Sequence, residues 1–172
     1  MILRISDISD DGLIIEDAGL LGSPFADPNW RLDGVRLRAD RDGDDVVIAG
    51  EIEATVPVVC GRCLEEFPVR IRASVDVRFI PRPPEGDRVE LGSDDLDLDF
   101  YRGDEIDLSA LVASETALAL PMKPLCREDC RGLCPRCGAN RNLAPCRCSE
   151  RAPDPRLAVL KDLAPRLHHE AR

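Results

Sequence analysis

Apolar and polar residues alternate with a period of two through much of the first half of the chain. The alternating stretches are residues 35–39, 48–58 and 69–79. Asp42-Gly43-Asp44 separates the first two stretches, and Cys60-Gly61-Arg62-Cys63 lies between the second and the third. Side chains of a strand point alternately to its two faces, so this pattern is typical of half-buried strands. It predicts an antiparallel hairpin that carries the C-x-x-C near its tip.

The segments on either side of these strands give weaker signals. Ile2–Ile5 and Leu13–Ile15 are predicted as short strands, and Trp30 as a packing residue at the start of another. Residues 81–105 contain several prolines and a run of alternating aspartates, which predicts a long loop around one or two short strands. These aspartates should form a solvated acidic edge at which a basic protein can dock: Asp94, Asp95, Asp97 and Asp99.

The second half of the chain contains two helix signals. Asp107 is a favourable N-cap for a helix over residues 108–120, which Pro121 ends. Asp154-Pro155 opens a second, short helix, whose leucines form one apolar stripe. The elements together predict an α+β fold, in which an antiparallel β-sheet body and one main helix precede a C-terminal cysteine-rich lobe and a short terminal helix.

Charge and length restrict the class of protein. The chain has 172 residues, with 33 acidic and 23 basic side chains and a formal net charge of −10. The length suits one domain plus a small appendage. An acidic surface repels phosphates, which argues against broad nonspecific nucleic-acid binding and favours a basic partner. The N-terminus lacks the charge pattern of a signal peptide, and no stretch approaches the ~20 apolar residues of a membrane span. We therefore expect a cytoplasmic protein without a membrane partner.

Six of the eight cysteines lie between residues 126 and 148, in a segment rich in Pro, Gly, Asn and Arg. This segment lacks the apolar mass to fold by burial alone, and closely spaced thiols in a reducing cytoplasm are more often metal ligands than disulfides. Cys134-Pro135-Arg136-Cys137-Gly138 has the spacing of a zinc knuckle, whose glycine can adopt a positive φ. The spacings predict two zinc ions per chain. The expected ligands are Cys60, Cys63, Cys126 and Cys130 for one ion, and Cys134, Cys137, Cys146 and Cys148 for the other.

Other arrangements of the cysteines stay open. A rival pairing places one ion on Cys126, Cys130, Cys134 and Cys137. Disulfides would suit a secreted chain, four thiolates can also hold an iron–sulfur cluster, and a C-x-x-C can act as a redox switch. The two-zinc interpretation divides the chain into three parts. Residues 1–124 form a β-rich body with the main helix, residues 125–150 form the zinc-binding cysteine-rich segment, and residues 151–172 form a short helix and a tail.

Three stretches of the chain resemble the YceD family, the large ribosomal RNA subunit accumulation proteins. They are VCGRCLE from Val59, LALPMKPLC from Leu118, and CRGLCPRCG from Cys130 with Asn142, Cys146 and Cys148 behind it. Some members resemble only the first half of this cysteine set, which agrees with two separable sites. The resemblance implies a role in ribosomal RNA accumulation or processing and in large-subunit assembly, with no established enzymatic activity.

These features predict a non-enzymatic zinc-binding factor that acts on the pre-ribosomal large subunit and takes no small-molecule substrate. All-cysteine zinc sites are closed, whereas catalytic zinc keeps an open position, so a metalloenzyme is disfavoured. Five arginines of the cysteine-rich segment can contact ribosomal RNA, or can merely offset the charge of the thiolates: Arg127, Arg131, Arg136, Arg141 and Arg147. The alternative is an adaptor that binds a basic ribosomal protein without RNA contact.

Overall fold

The computed structural model describes residues 1–83, 98–148 and 156. The strands are β1 (Ile2–Arg4), β2 (Leu13–Ile15), β3 (Arg31–Asp42), β4 (Asp45–Val59), β5 (Glu66–Pro81), β6 (Leu98–Tyr101) and β7 (Glu105–Asp107). The helices are α1 (Ala18–Leu21) and α2 (Leu108–Leu118), and a 3₁₀ turn spans Ile5–Asp7. The expected terminal helix and tail, and Asp94, Asp95 and Asp97 of the expected acidic edge, lie outside the described residues. Within the described part of the chain, no helix has the length and apolar character needed to cross a bilayer.

A five-stranded sheet in the order β2-β3-β4-β5-β6 dominates the structure, and the outline of an α+β fold is confirmed. The three long strands pair antiparallel, with Ile52 opposite Val35 on one side and Ala73 on the other. Strand β6 instead runs parallel to β5, so the expectation of a wholly antiparallel sheet is wrong at this edge. Parallel neighbours need a long crossover, and residues 82–97 supply one of sufficient length.

The core lies on the face of the sheet that the period-two pattern predicts. Ile48, Ile52 and Ala54 of β4 are buried, while Ala49, Glu51 and Glu53 are exposed on the other face. Because β3 and β5 alternate in register with β4, their apolar residues join the same core cluster. Trp30 is partly buried against this core, 5.4 Å from the ring centre of Phe25, as expected of a packing residue.

Helix α2 covers this core with one face. Asp107 caps its first turn, since its carboxylate accepts hydrogen bonds from the backbone N–H groups of Ser109 and Ala110. The buried residues Leu108, Leu111 and Val112 belong to the core cluster. The predicted helix is confirmed from its first residue, and it ends at Leu118, two residues before the predicted end. The short helix α1 carries no signal in the sequence pattern.

The chain divides into two compact units. We call residues 1–60 and 65–126 the sheet unit, and residues 61–64 and 127–172 the cysteine unit. The sheet unit contains 27 acidic and 12 basic residues, a net charge of −15. The cysteine unit contains 6 acidic and 11 basic residues, a net charge of +5. The net charge of −10 therefore conceals two units of opposite sign.

Candidate metal centres

No disulfide joins any of the eight cysteines, which form two groups of four. The first cysteine group contains Cys60, Cys63, Cys126 and Cys130, and the second contains Cys134, Cys137, Cys146 and Cys148. Within each group, every sulfur lies within 4.8 Å of the other three. The structure thus brings the cysteines together in the preferred pairing and not in the rival one. A tetrahedral site with bonds of about 2.3 Å places its sulfurs roughly 3.8 Å apart, so each group can close around one metal ion.

The first C-x-x-C lies in the turn between β4 and β5. The N–H of Cys60 donates to the carbonyl oxygen of Glu65 at 2.9 Å, which closes this turn. Leu64, directly after Cys63, has a φ of 62°. It is the one described residue other than glycine with a positive φ, a conformation that costs about 1–2 kcal/mol for a side chain with a Cβ. Backbone strain thus lies directly after a pair of sulfurs that are within 4.8 Å of each other.

Backbone hydrogen bonds hold the other two cysteines of the first group. The N–H of Cys126 donates to the sulfur of Cys60 at 3.4 Å. The N–H of Cys130 donates to the carbonyl oxygen of Arg127 at 3.2 Å. The guanidinium of Arg62 donates to the carbonyl oxygens of Glu128 and Cys130, both at 3.1 Å. Arg62 therefore fixes the backbone around Cys130 from within the first C-x-x-C.

The second C-x-x-C forms a similar turn, in which a glycine is the residue with a positive φ after the second cysteine. Gly138 has a φ of 72°, and its N–H donates to the carbonyl oxygen of Cys134 at 2.9 Å. The N–H of Cys134 in turn donates to the carbonyl oxygen of Ala139 at 2.8 Å. A glycine after the second cysteine was the sequence signal for this turn. Leu64 occupies the corresponding position in the first turn, which is why that turn lacks the signal.

The thiols of the second group have strongly different pKa values. Hydrogen bonds from the backbone N–H groups of Cys137 and Arg136 lower the pKa of Cys134 to about 6. The neighbouring side chains of Cys137 and Cys134 raise the pKa of Cys148 to about 12. One sulfur is thus readily ionised, and its charge opposes ionisation of another close by. A bound cation removes that repulsion, so the donor set fits a metal ion and is consistent with zinc.

Asn142 links the segment of the second group to Cys130 of the first. Its side-chain N–H donates to the sulfur of Cys130 at 3.2 Å. Its side-chain oxygen accepts from the N–H of Arg131 at 2.8 Å, and its own N–H donates to the side chain of Asn140 at 3.0 Å. Neither Arg62 nor Asn142 was predicted as a positioning residue. Arg62 lies between the two cysteines of the first C-x-x-C, and Asn142 is among the residues that carry the family resemblance, but neither position specifies a hydrogen-bond partner.

The five predicted contact arginines are all exposed: Arg127, Arg131, Arg136, Arg141 and Arg147. Arg127 lies 3.5 Å from the carboxylate of Asp129. Within the described ranges, the guanidinium groups of Arg131, Arg141 and Arg147 have no hydrogen-bond or ion-pair partner in this chain. Three cations of this segment are therefore available to an external anion.

Comparison with known proteins places the chain among uncharacterised relatives. Proteins of Mycobacterium tuberculosis and Mycobacterium bovis are each 32% identical over 127 residues, and one of Mycobacterium leprae is 31% identical over the same length. The aligned region is 74% of this chain but 57–59% of the relatives, which are uncharacterised and longer. No solved structure matches the chain.

Residues 48–164 match the family described as "Large ribosomal RNA subunit accumulation protein YceD". The matched region contains the long hairpin from Ile48, helix α2 and all eight cysteines of the two groups. It covers more than half of the chain and confirms the resemblance seen in the cysteine-containing stretches. The chain therefore belongs to the YceD family of large ribosomal RNA subunit accumulation proteins.

Proposed function

We propose that this protein is a non-enzymatic, zinc-stabilised factor in the assembly of the large ribosomal subunit. The observation that carries the proposal is the presence of two four-sulfur groups, the second of which lies in the cysteine unit together with a set of exposed arginines. Zinc would bind to both cysteine groups and supply the rigidity that the cysteine unit, poor in apolar residues, cannot obtain from a core. Closed four-thiolate sites leave no position for a substrate, so the proposed role is structural.

The arginines of the cysteine unit support a contact with ribosomal RNA. Arg131, Arg141 and Arg147 are exposed, and no described group of the chain neutralises them. Guanidinium groups form paired hydrogen bonds with phosphate oxygens, and such contacts position a protein on RNA without reading its sequence. The net charge of +5 on this unit favours that contact despite the acidic character of the whole chain.

The sheet unit supports a second, protein-directed contact. Its net charge of −15 repels RNA phosphates but attracts a basic protein, and ribosomal proteins of this kind would be its partners. This observation also favours the second candidate function, an adaptor that binds only a basic protein. Crosslinking in cells separates the two candidates: RNA joined to the cysteine unit supports the assembly factor, whereas peptides alone support the adaptor.

The metal part of the proposal is tested by native mass spectrometry with metal analysis of the purified full chain. Two zinc ions per chain are expected, and the number should fall to one in Cys60→Ser and to one in Cys134→Ser. A metal-free native protein would refute the metal-dependent role. Iron in place of zinc would replace the structural role with that of a cluster carrier.

The RNA part is tested by sedimentation with pre-ribosomal particles in cell extracts. The test variant replaces Arg131, Arg141 and Arg147 by Gln, which removes three positive charges and leaves the positioning residue Arg62 intact. Each lost contact with a phosphate weakens RNA binding and makes it less dependent on salt concentration. The affinity of the protein for pre-ribosomal particles should therefore fall about tenfold or more. The matched control makes the same replacement at Arg4, Arg36 and Arg72, three exposed arginines of the sheet unit. Equal sedimentation of test variant and wild type would contradict the proposed RNA contact.

A further inference from the structure

We infer that Asn142 is a positioning residue that couples the two cysteine groups, so that a metal ion held by the second group raises the metal affinity of the first. This inference rests on the metal binding proposed above. It concerns a residue that is not itself a ligand. Its basis is a chain of short hydrogen bonds within the cysteine unit.

The contact with Cys130 is specific. Asn142 is partly buried, and its side chain uses both ends: the oxygen accepts from the N–H of Arg131 at 2.8 Å, and the N–H₂ donates to the sulfur of Cys130 at 3.2 Å. A hydrogen bond from an N–H group to a sulfur favours the ionised thiolate over the thiol, and it fixes the orientation in which the sulfur can bind a metal ion. Asn142 thus prepares Cys130 for a metal ion without binding that ion.

The position of Asn142 depends on the second cysteine group. Residues 139–143 directly follow the Cys134-x-x-Cys137 turn and precede Cys146, so a metal ion held by the second group closes the loop that contains them. The N–H of Cys134 binds the carbonyl oxygen of Ala139, and Leu133 pairs with Asn140 in an isolated bridge. A filled second group therefore fixes this loop, and with it the amide that reaches Cys130.

A second connection runs through the backbone to the first C-x-x-C. The N–H of Leu133 donates to the carbonyl oxygen of Arg62 at 3.0 Å, and the N–H of Arg141 donates to the carbonyl oxygen of Gly132 at 2.9 Å. Both connections lie within the cysteine unit. Because coupling between two sites is reciprocal, filling either group must favour filling of the other.

The test measures zinc affinity of the purified full chain by competition with a chromophoric chelator, with the thiolate-to-metal absorption of Co²⁺ as a second readout. Asn142→Asp keeps the acceptor for Arg131 but removes the donor to Cys130, and Asn142→Ala removes both without adding charge. Asn29→Asp, at an exposed asparagine of the sheet unit, is the matched control. The second group is disabled by Cys134→Ser with Cys137→Ser, and the first by Cys60→Ser.

Both Asn142 variants should weaken zinc binding at the first group by about 10–100-fold, the usual effect of losing such a supporting hydrogen bond. Disabling the second group should weaken the first by a similar factor, and adding Asn142→Ala should then cause no further loss. With the first group disabled, Asn142→Ala should leave the second group unchanged. Asn29→Asp should change neither affinity.

Three results would overturn the inference. The first is an affinity of the first group within threefold of wild type in both Asn142 variants, and the second is an effect in the Asp variant alone. The third is an unchanged affinity of the second group when the first is disabled, since reciprocal coupling requires that affinity to fall by the same factor. A chain that binds two ions independently refutes only this inference, whereas a chain that binds none refutes the proposed function.

Discussion

A Cβ at Gly132 would collide with a neighbouring backbone segment, and Gly132→Ala tests how closely the two segments approach. Gly132 has a φ of 66°, and a Cβ at this residue would lie 2.8 Å from the carbonyl oxygen of Arg62. That oxygen accepts the hydrogen bond from the N–H of Leu133. Gly138 has a φ of 72° but nothing within 4 Å of its Cβ position, so Gly138→Ala is the matched control.

The difference between the two variants can be worked out from these contacts. In both variants, an alanine with a positive φ destabilises the fold by about 1–2 kcal/mol. Alanine also restricts the unfolded chain more than glycine does, which restores about 0.4–1 kcal/mol of stability. In Gly132→Ala, the new Cβ also clashes with the carbonyl group of Arg62 and must push it aside, and overpacking of this kind destabilises a fold by about 1–3 kcal/mol. It also weakens the hydrogen bond from Leu133, worth about 0.5–1.5 kcal/mol. Gly132→Ala should therefore cost roughly 1.5–4.5 kcal/mol more than Gly138→Ala.

Amide hydrogen exchange of the zinc-loaded chain provides the assay, because it reports the free energy of local opening at each N–H. Exchange at Leu133 and Arg141 should be about 10–1000-fold faster in Gly132→Ala than in Gly138→Ala, since a tenfold change corresponds to about 1.4 kcal/mol. Exchange at Leu37, in the core of the sheet unit, should not differ. Equal exchange at Leu133 in the two variants would refute the claim that Gly132 is required for its close approach to Arg62.

Two further predictions concern the sheet unit. Gly50→Ala should destabilise the fold by about 3 kcal/mol or more, because a Cβ at Gly50 (φ 151°) would lie 2.0 Å from the backbone oxygen of Arg36. Gly43→Ala, at a glycine with a φ of 65° and nothing within 4 Å of its Cβ position, should cost only about 1 kcal/mol, and urea unfolding followed by Trp30 fluorescence should show the difference. The pKa of Asp33 is lowered chiefly by the hydroxyl of Thr55, so Thr55→Val should raise it, as measured by NMR titration. Because the folded pKa lies below the unfolded one, this interaction stabilises the fold above the unfolded pKa and is lost as the pH falls through the folded value.

The sequence alone determined the parts of the structure that depend on local pattern. Alternation with period two identified the long strands and the face that they bury, since a one-residue error would have exposed Ile48 and Ile52. Asp107 marked the start of α2, because a cap acts on the N–H groups two and three residues ahead. The spacing of the cysteines favoured the two groups but left the rival pairing open, because Cys126/Cys130 and Cys134/Cys137 are also two close pairs; the structure selects the preferred pairing.

Only the tertiary structure decided the features that join distant segments. The parallel pairing of β6 with β5 is one such feature, because the direction in which a strand pairs is set by tertiary contacts and not by its local pattern. The roles of Arg62 and Asn142 arise from hydrogen bonds across 68 and 12 residues respectively, and nothing in the local sequence specifies these partners. The division of charge into −15 and +5 likewise required the boundaries of the two units, because Gly61–Leu64 belongs with residues far along the chain. Local propensity and periodicity are read from neighbouring residues, whereas these contacts exist only once the chain has folded.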